Sequence, residues 1–269
     1  MVAIDNGSTQ PLSEERVRSF GPEFRYRFVD TDSVSPVRAI NSCCRDALGE
    51  ELLVVIDGAH ILSPGILRGA ADAFYIFKSP LVATVPFHLG PTRQNISVSQ
   101  GYNQIVEDRL LSESGWRLDG YKLCNIAGGF ADASGGWFGC LFESGCLGLR
   151  KTDYFALGGF DERFQSRGGG MVNLDFFAQA VTLKSLDYVM LLGEGTFHQF
   201  HGGVASNAPA ANHPFEEFHR EYMQIRGKPY ERVLRRPCYL GALRNEALRI
   251  AKKSMDLAEP FWLKHMESP

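Results

Sequence analysis

The stretch LLVVIDGAHILSPGIL, residues 52–67, decides the fold. Its first five residues form a continuous apolar run, which is typical of a central strand covered on both faces. Asp57 follows this strand directly, and small residues next to it leave room for a bulky ligand to approach the backbone. Ser63 and Pro64 then predict the start of a helix, with Ser63 as its N-cap. The stretch therefore predicts a buried strand, a turn that carries an acid, and a helix.

Neighbouring segments extend this order in both directions. Residues 1–5 read as a strand, residues 37–48 carry the apolar stripe of an amphipathic helix, and residues 81–89 read as another strand. Strands that alternate with helices indicate an α/β fold, so we expect a Rossmann-like, mostly parallel sheet flanked by helices.

Further strands and helices are expected in the rest of the chain. The predicted strands are 145–151 and 187–192, and the predicted helices are 101–113, 171–184, 213–227 and 241–255. We see no clear linker. We therefore expect one α/β domain over residues 1–210, with a helical C-terminal extension over residues 211–269 packed on it.

Composition excludes some classes of protein. The formal net charge of −3 gives no global reason to expect nucleic-acid binding. No stretch of 18 apolar residues is present, so no transmembrane segment is expected, and the N-terminus has no secretory pattern. The cysteines form no C-x-x-C pair, and we interpret them as thiols of a reducing compartment. These features together predict a cytoplasmic protein.

Two acids follow predicted strands. In open parallel sheets, ligands bind at the carboxyl ends of the strands. Asp57 has this position, and so does Asp5 in the turn sequence DNGS, residues 5–8, where Asp5 could accept hydrogen bonds from a base or a ribose. The alternative for either acid is that it only caps its own turn.

A third acid, Asp175, interrupts an apolar helical run. A carboxylate buried there without partners would have a raised pKa, which suits a general base. The alternative is a solvent-facing residue on a polar face shared with Asn173 and Gln179.

His198 and His201 lie soon after the predicted strand 187–192. In a helix they would share a face, whereas in an extended stretch they would point to opposite sides. A neutral imidazole together with a carboxylate suits a divalent ion such as Mn²⁺.

Taken in order, five segments resemble the glycosyltransferase family 2 group, whose members have the nucleotide-sugar-binding GT-A fold. The segments are AIDNGST (3–9), SPVRAINSCCRDALGEELLVVIDGAHILSPGIL (35–67), ESGCLGLRKTDYFALGGFDERF (143–164), LDFFAQA (174–180) and FHQFHGG (197–203). The resemblance implies an inverting, hexosyltransferase-like enzyme. Its donor would be a nucleotide-diphosphate sugar, its cofactor Mn²⁺ or Mg²⁺, and its acceptor a saccharide or another hydroxyl compound.

The resemblance also implies roles for individual residues. Asp57 would be the first acid of the metal-binding D-x-D motif, and His198 would approach the metal or the diphosphate. Asp175 would be the base that deprotonates the acceptor hydroxyl. The residues implied for the nucleoside pocket are Asp5, Asn6, Gly7 and Ser8.

The chain departs from the family pattern at three places. Ala59 replaces the second acid of D-x-D, and we expect the strand–turn geometry to point His60 away, so that the ion would rely on Asp57, His198 and the diphosphate. The E-D pair aligns in two registers, at 172–173 or at 174–175, and Asp175 is the only acid in either. The strand and helix that usually precede DNGS are missing, which implies a truncated or mis-started chain.

The sequence is compatible with two other functions. The departures from the motifs are compatible with a nucleotide-sugar-binding protein that has little or no catalysis. A metallohydrolase that uses Asp57, His198 and His201 is the other alternative, although the recognisable H-E-x-x-H spacing is lacking. The side chains that could stack on an acceptor sugar, or simply pack in the core, are Trp116, Trp137 and Phe138.

Overall fold

A computed structural model describes residues 1–56, 59–130, 134–203 and 206–266 of the protein. The fold is mixed α/β, with helices beside a seven-stranded mixed sheet and a helix at the C-terminal end. The strands are β1 (Val2–Asn6), β2 (Arg25–Val29), β3 (Glu51–Val55), β4 (His60–Leu62), β5 (Pro80–Leu89), β6 (Ala127–Phe130), β7 (Cys146–Arg150), β8 (Asp187–His198) and β9 (Cys238–Gly241). The α-helices are α1 (Glu14–Arg18), α2 (Val37–Asp46), α3 (Ile66–Ile76), α4 (Gln94–Ser97), α5 (Gln104–Ser114), α6 (Leu123–Ile126), α7 (Lys151–Ala156), α8 (Val172–Thr182), α9 (Phe215–Arg226) and α10 (Leu248–Met266). Short 3₁₀ turns cover Val98–Gln100, Gly120–Lys122, Arg167–Gly169, Ala210–Asn212 and Asn245–Ala247.

Internal contacts divide the chain into two compact units. Unit 1 comprises Met1–Leu52, Lys151–Phe176 and Phe215–Glu231, and unit 2 comprises Leu53–Arg150, Phe177–Pro214 and Arg232–Pro269. The division at residue 210 that the sequence indicates stays a prediction.

Unit 1 contains a small parallel sheet and a buried aromatic cluster. β1 pairs with β2 in register from Val2 opposite Arg25 to Asn6 opposite Val29. The aromatic cluster packs Tyr154, Phe160 and Phe176 edge to face or tilted, with ring centroids 4.9–5.8 Å apart. Such aromatic pairs add to the stabilisation from burial alone.

Unit 2 is built on the two longest strands, β5 and β8, which pair in parallel along most of their length. The sheet order is β3-β7-β5-β8-β4, with β6 also paired to β5 and β9 also paired to β8. Every residue of β5 is buried, including the polar Thr84 and His88, as expected for a strand covered on both faces. The central, doubly covered position that the apolar run at residues 52–56 predicts is wrong, because β3 lies at the end of the sheet order and only Leu52 and Val54 of it are buried.

The prediction of a mostly parallel sheet is wrong. Strands β6 and β7 run antiparallel to β5, and β4 runs antiparallel to β8. In addition, β1 belongs to the separate sheet with β2. An apolar run predicts that a strand is buried on both faces, but it contains no information about the direction of its neighbours, which depends on how the long connections return.

Helix α3 covers one face of the larger sheet. Ala70, Ala73 and Phe74 of this helix form an apolar cluster with Val82 of β5 and with Val189 and Leu191 of β8. The helix begins at Ile66, and its N-cap is Gly65 rather than Ser63. The backbone N–H of Gly65 donates to the carboxylate of Glu194 over 3.0 Å, and the hydroxyl of Ser63 also donates to that carboxylate. A carboxylate far away in the sequence therefore supplies the cap that we predicted locally.

No helix in the described part of the chain combines the length and the apolar composition needed to cross a membrane. All six cysteines are free thiols: Cys43, Cys44, Cys124, Cys140, Cys146 and Cys238.

Candidate functional site

Three histidines form a row across the carboxyl ends of the two central strands of unit 2. His198 ends β8, and it pairs with His88 of β5 on one side and with His60 of β4 on the other. Its ring centroid lies 5.4 Å from that of His88 and 5.0 Å from that of His60. Residues that are directly paired across strands place their side chains on the same face. The row therefore lies at the edge of the sheet where α/β proteins bind ligands.

His201 joins this row from the loop that follows β8. Its Nε2 lies 3.2 Å from Nε2 of His198, and the hydroxyl of Ser206 lies 3.1 Å from the same atom. An extended chain would have turned the His198 and His201 side chains apart. They come together because the strand ends at His198 and the chain bends at His201.

His88 stays uncharged. Burial, together with the neighbouring groups His198, His60 and Arg93, lowers the pKa of His88 to about 3. Nδ1 of His88 accepts a hydrogen bond from the backbone N–H of Gln94 over 2.8 Å. His88 is therefore a neutral imidazole with a fixed hydrogen-bond partner.

A buried polar network supports the histidine row. Gln94 is fully buried, and its side chain bonds to His198, Glu107 and Asn207. Glu107 also accepts from the hydroxyl of Tyr102 over 2.7 Å and from the backbone N–H of Phe200 over 2.8 Å. Burial raises the pKa of Glu107, and these hydrogen bonds oppose the rise. The network orders the segment on which His198 and Phe200 lie.

The His198 side chain is of a type that can bind a divalent ion. Imidazole nitrogens are common ligands of divalent transition-metal ions, and a hydroxyl can complement them. Within residues 1–56, 59–130, 134–203 and 206–266, no group of three or more His, Cys, Asp or Glu side chains is arranged to hold a metal. An ion would therefore need ligands beyond the described side chains.

Asp57, the acid predicted for D-x-D, lies outside the described residues. His60, which we expected to point away, instead lies beside His198 in the paired strands β4 and β8. The reason is that the chain re-enters the sheet at His60, so the residue is part of a strand and not of a loose turn.

In unit 1, Asp5 is held by its own turn. Its Oδ1 accepts from the backbone N–H of Ser8 over 2.8 Å, and its Oδ2 accepts from the hydroxyl of Tyr26 over 3.0 Å. Burial raises the pKa of Asp5, but these hydrogen bonds outweigh it and the pKa is lowered. Asn6 donates to the carbonyl oxygen of Ser33 over 2.8 Å. Asp5 is therefore ionised and partly engaged, and its role towards a nucleoside stays a prediction.

Asp175, also in unit 1, is buried and has a charged partner. Arg226 donates to both of its carboxylate oxygens, from Nε over 2.8 Å and from Nη2 over 2.6 Å. Nη2 of Arg226 also lies 3.0 Å from Oδ2 of Asp161. Burial excludes the alternative of a solvent-facing residue, and the ion pair means that Asp175 is not the unpartnered carboxylate considered from the sequence.

The aromatic residues proposed for an acceptor have different environments. Trp137 is fully buried, and its Nε1 donates to the backbone oxygen of Glu194 over 2.8 Å. The Trp116 ring lies under the guanidinium of Arg117 at 4.8 Å, and the Phe138 ring contacts that of Tyr239 at 5.8 Å. Trp137 is therefore a core residue, which agrees with the alternative that it packs in the core and does not stack on a sugar.

Several residues of the site were not identified from the sequence. They are His88, Gln94 and Glu107, and nothing in the local sequence distinguishes Gln94 or Glu107. Gln94 and His198 are separated by 104 residues in the chain. Only the histidine of β5, in the run LVATVPFHL, carried a signal: a polar residue near the carboxyl end of a buried strand.

Comparison with known proteins adds no assignment, because no family model matches the chain and no curated protein is significantly similar to it.

Proposed function

We propose that the protein is an inverting glycosyltransferase with a GT-A type of fold, similar to family 2. It would move a sugar from a nucleotide-diphosphate donor to an acceptor hydroxyl with the help of Mn²⁺ or Mg²⁺. The observation that carries the proposal is the histidine row at the carboxyl ends of β5 and β8. A diphosphate and its cation need polar ligands at such a sheet edge.

His198 is the described residue that would hold the ion, together with Asp57 and the phosphate oxygens. The ion, when bound, offsets the negative charge that develops on the leaving diphosphate. His60 and His88 flank His198 and limit the orientations of its ring. Their contribution is to hold the ligand atom in place before the donor arrives.

The reaction exchanges one bond at C1 of the donor sugar. The acceptor oxygen forms a bond to C1 from one face, the bond from C1 to the diphosphate oxygen breaks on the other, and the hydroxyl proton passes to a base. Asp175 is the proposed base, and such a base contributes on the order of 10²–10⁴-fold to the rate. The nucleoside contacts are proposed for Asp5, Asn6, Gly7 and Ser8 of unit 1. The free thiols fit a reducing location for this activity.

One observation favours a second candidate, a protein that binds a nucleotide sugar without transferring it. Both oxygens of Asp175 already accept hydrogen bonds from Arg226. This two-point contact turns both oxygens towards the guanidinium, and an ion pair of this kind has a structural role that needs no catalysis. The two candidates share the diphosphate site and differ only in turnover.

Calorimetry with UDP, GDP and dTDP, each with and without Mn²⁺, tests the proposal. We expect one nucleoside diphosphate to bind in an ion-dependent manner and His198→Asn to weaken that binding by at least about tenfold. His265→Asn is the matched control, because His265 is exposed on α10 and bonds only locally to the backbone oxygen of Phe261. If the wild type binds no diphosphate, or if both variants bind equally well, the proposed site is wrong.

A donor-hydrolysis and sugar-transfer assay on the same preparation separates the two candidates. Turnover of the sugar form of the bound nucleotide supports the glycosyltransferase. Tight, ion-dependent binding with no turnover on any saccharide acceptor supports the binding protein instead.

A further inference from the structure

The amide of Gln94 can take only one orientation. Its Nε2 faces the carboxylate oxygen Oε2 of Glu107 at 3.2 Å, the backbone oxygen of His198 at 3.0 Å and the backbone oxygen of Leu89 at 3.5 Å. Backbone carbonyl oxygens only accept hydrogen bonds, and so does an ionised carboxylate. The NH₂ group must therefore point to this side, and the amide oxygen Oε1 must point to the other.

This orientation assigns the hydrogen on the ring of His198. Oε1 of Gln94 lies 2.6 Å from Nδ1 of His198 and 2.9 Å from the amide nitrogen of Asn207. An amide oxygen cannot donate, so Nδ1 of His198 must carry the hydrogen. A neutral imidazole has one N–H, and Nε2 therefore carries the lone pair.

We infer that Gln94 is a positioning residue that fixes His198 in the Nδ1–H tautomer and directs the Nε2 lone pair towards the loop that carries His201 and Ser206. Nε2 lies 3.2 Å from Nε2 of His201 and 3.1 Å from the hydroxyl of Ser206. The functional value of this tautomer rests on the proposed function, in which His198 binds a divalent ion. Only the neutral, lone-pair nitrogen of an imidazole can do so. Metal-binding histidines usually donate their other N–H to a fixed acceptor in this way.

The backbone of Gln94 assigns the opposite tautomer to the adjacent histidine. Its N–H donates to Nδ1 of His88 over 2.8 Å, so Nδ1 of His88 is an acceptor and the hydrogen is on Nε2. One residue therefore gives two neighbouring rings opposite tautomers, through its side chain for His198 and through its main chain for His88. A substitution of the side chain should change only the first of them.

The experiment is ¹⁵N NMR of the full chain with labelled histidine, at about pH 8, where neutral imidazoles dominate. The ring signals are assigned with the variants His88→Asn and His198→Asn. In the wild type we expect the Nδ1–H form for His198 and the Nε2–H form for His88. In Gln94→Met, which has a similar size but no amide, we expect His198 to move towards the Nε2–H form and His88 to keep its tautomer.

Binding of Mn²⁺ alone, followed on the same samples, gives the second measurement. We expect Gln94→Met to weaken it by roughly 10–100-fold. Gln100→Met is the matched control, because it makes the same replacement at an exposed glutamine of the Val98–Gln100 turn. This control should keep both the tautomers and the affinity.

The inference is overturned if His198 has the Nε2–H form in the wild type, a result that does not depend on any variant folding. It is also overturned if Gln94→Met folds and leaves the His198 tautomer unchanged. The proposed function can fail separately. If the wild type shows the expected pair of tautomers but binds neither Mn²⁺ nor a nucleoside diphosphate, the result contradicts the glycosyltransferase. The same result supports the tautomer assignment by Gln94.

Discussion

Arg226 holds the carboxylate of Asp175 in a two-point ion pair, with Nε 2.8 Å from Oδ1 and Nη2 2.6 Å from Oδ2. The Asp175 side chain is 4% exposed and the Arg226 side chain 23% exposed, so both charges are largely removed from water. Paired hydrogen bonds of this kind are among the strongest polar contacts in proteins. The pair joins α8 to α9 within unit 1.

Removal of the arginine leaves a buried charge without its main partner. We expect Arg226→Ala to lower the free energy of unfolding by roughly 3 kcal/mol, because the loss of one partner of a buried ion pair costs more than the pair contributes. Urea denaturation at neutral pH measures the change. Addition of Asp175→Asn to this variant should recover part of the loss, since it removes the unpaired charge.

Arg163→Ala is the matched control for this prediction. Arg163 contacts Asp161 in the same region, but its side chain is 61% exposed, so its removal should change stability only slightly. Equal effects of the two arginine substitutions would mean that the pair with Asp175 is not what stabilises the contact between α8 and α9.

Asp161 should make the free energy of unfolding decrease as the pH falls into the acid range. Hydrogen bonds from Arg163, together with the charge of Arg226, lower the pKa of Asp161 to about 2 against the effect of burial. Because the folded-state pKa is below the unfolded value, the contribution is complete above the unfolded pKa of about 4 and disappears as the pH falls towards 2. After a discount for solvent screening, it is on the order of 1 kcal/mol.

A comparison of wild type with Asp161→Asn isolates this contribution. The difference between their free energies of unfolding in urea should be larger at pH near 6 than at pH near 2.5, where the wild-type carboxylate is largely protonated in the unfolded chain. A difference that does not vary with pH would contradict the assignment to ionised Asp161.

The elements of the fold could be predicted from the sequence, but their pairing could not. Residues 52–56 and 81–89 do correspond to the strands β3 and β5, although β3 ends the sheet order and is not the central strand expected, and the amphipathic pattern at 37–48 is helix α2. Neither pattern indicates whether the neighbouring strand in the sheet runs parallel or antiparallel. The return of β7 antiparallel to β5 is set by contacts across the sheet, such as Val82 opposite Gly148, that no local window of sequence contains.

The candidate site was predictable only where a strand pattern located it. His198 was expected near a strand end, and it is the last residue of β8. The residues that orient it were not predictable, because Gln94 reaches it from a different part of the chain and Glu107 appears in the sequence as one more acid on a helix. The environment of Asp175 was missed for the same reason: its partner Arg226 is 51 residues away.

The side chain of Asn41 in α2 forms hydrogen bonds with the backbone N–H and C=O groups of Phe160. The loss of this side chain should destabilise unit 1. The Asn41 side chain donates to the backbone oxygen of Phe160 over 2.7 Å and accepts from its N–H over 3.0 Å and from the hydroxyl of Tyr154 over 2.7 Å. Asn41→Ala removes these partners from buried groups, each of which costs about 1–3 kcal/mol when unsatisfied. We expect a loss of roughly 3 kcal/mol in thermal or urea unfolding.

Tyr154→Phe is the smaller change at the same place. It removes one hydroxyl but leaves Asn41 in contact with both backbone groups of Phe160, so we expect a loss of only about 1 kcal/mol. If the tyrosine variant were the less stable of the two, the aromatic packing of Tyr154 and not the amide of Asn41 would be the main support of this turn.

The catalytic role proposed for Asp175 is tested by Asp175→Asn, which keeps the size of the side chain and removes its charge. If Asp175 is the base, sugar transfer should fall by about 10²–10⁴-fold while the affinity for the nucleoside diphosphate is retained. Asp161→Asn is the matched control, because Asp161 contacts the same guanidinium without the proposed role in proton transfer. Full turnover of Asp175→Asn, measured on a variant shown to be folded, would leave Asp175 only its ion pair with Arg226. A parallel loss in both variants would instead mean that the guanidinium of Arg226, which both acids hold, is what transfer requires.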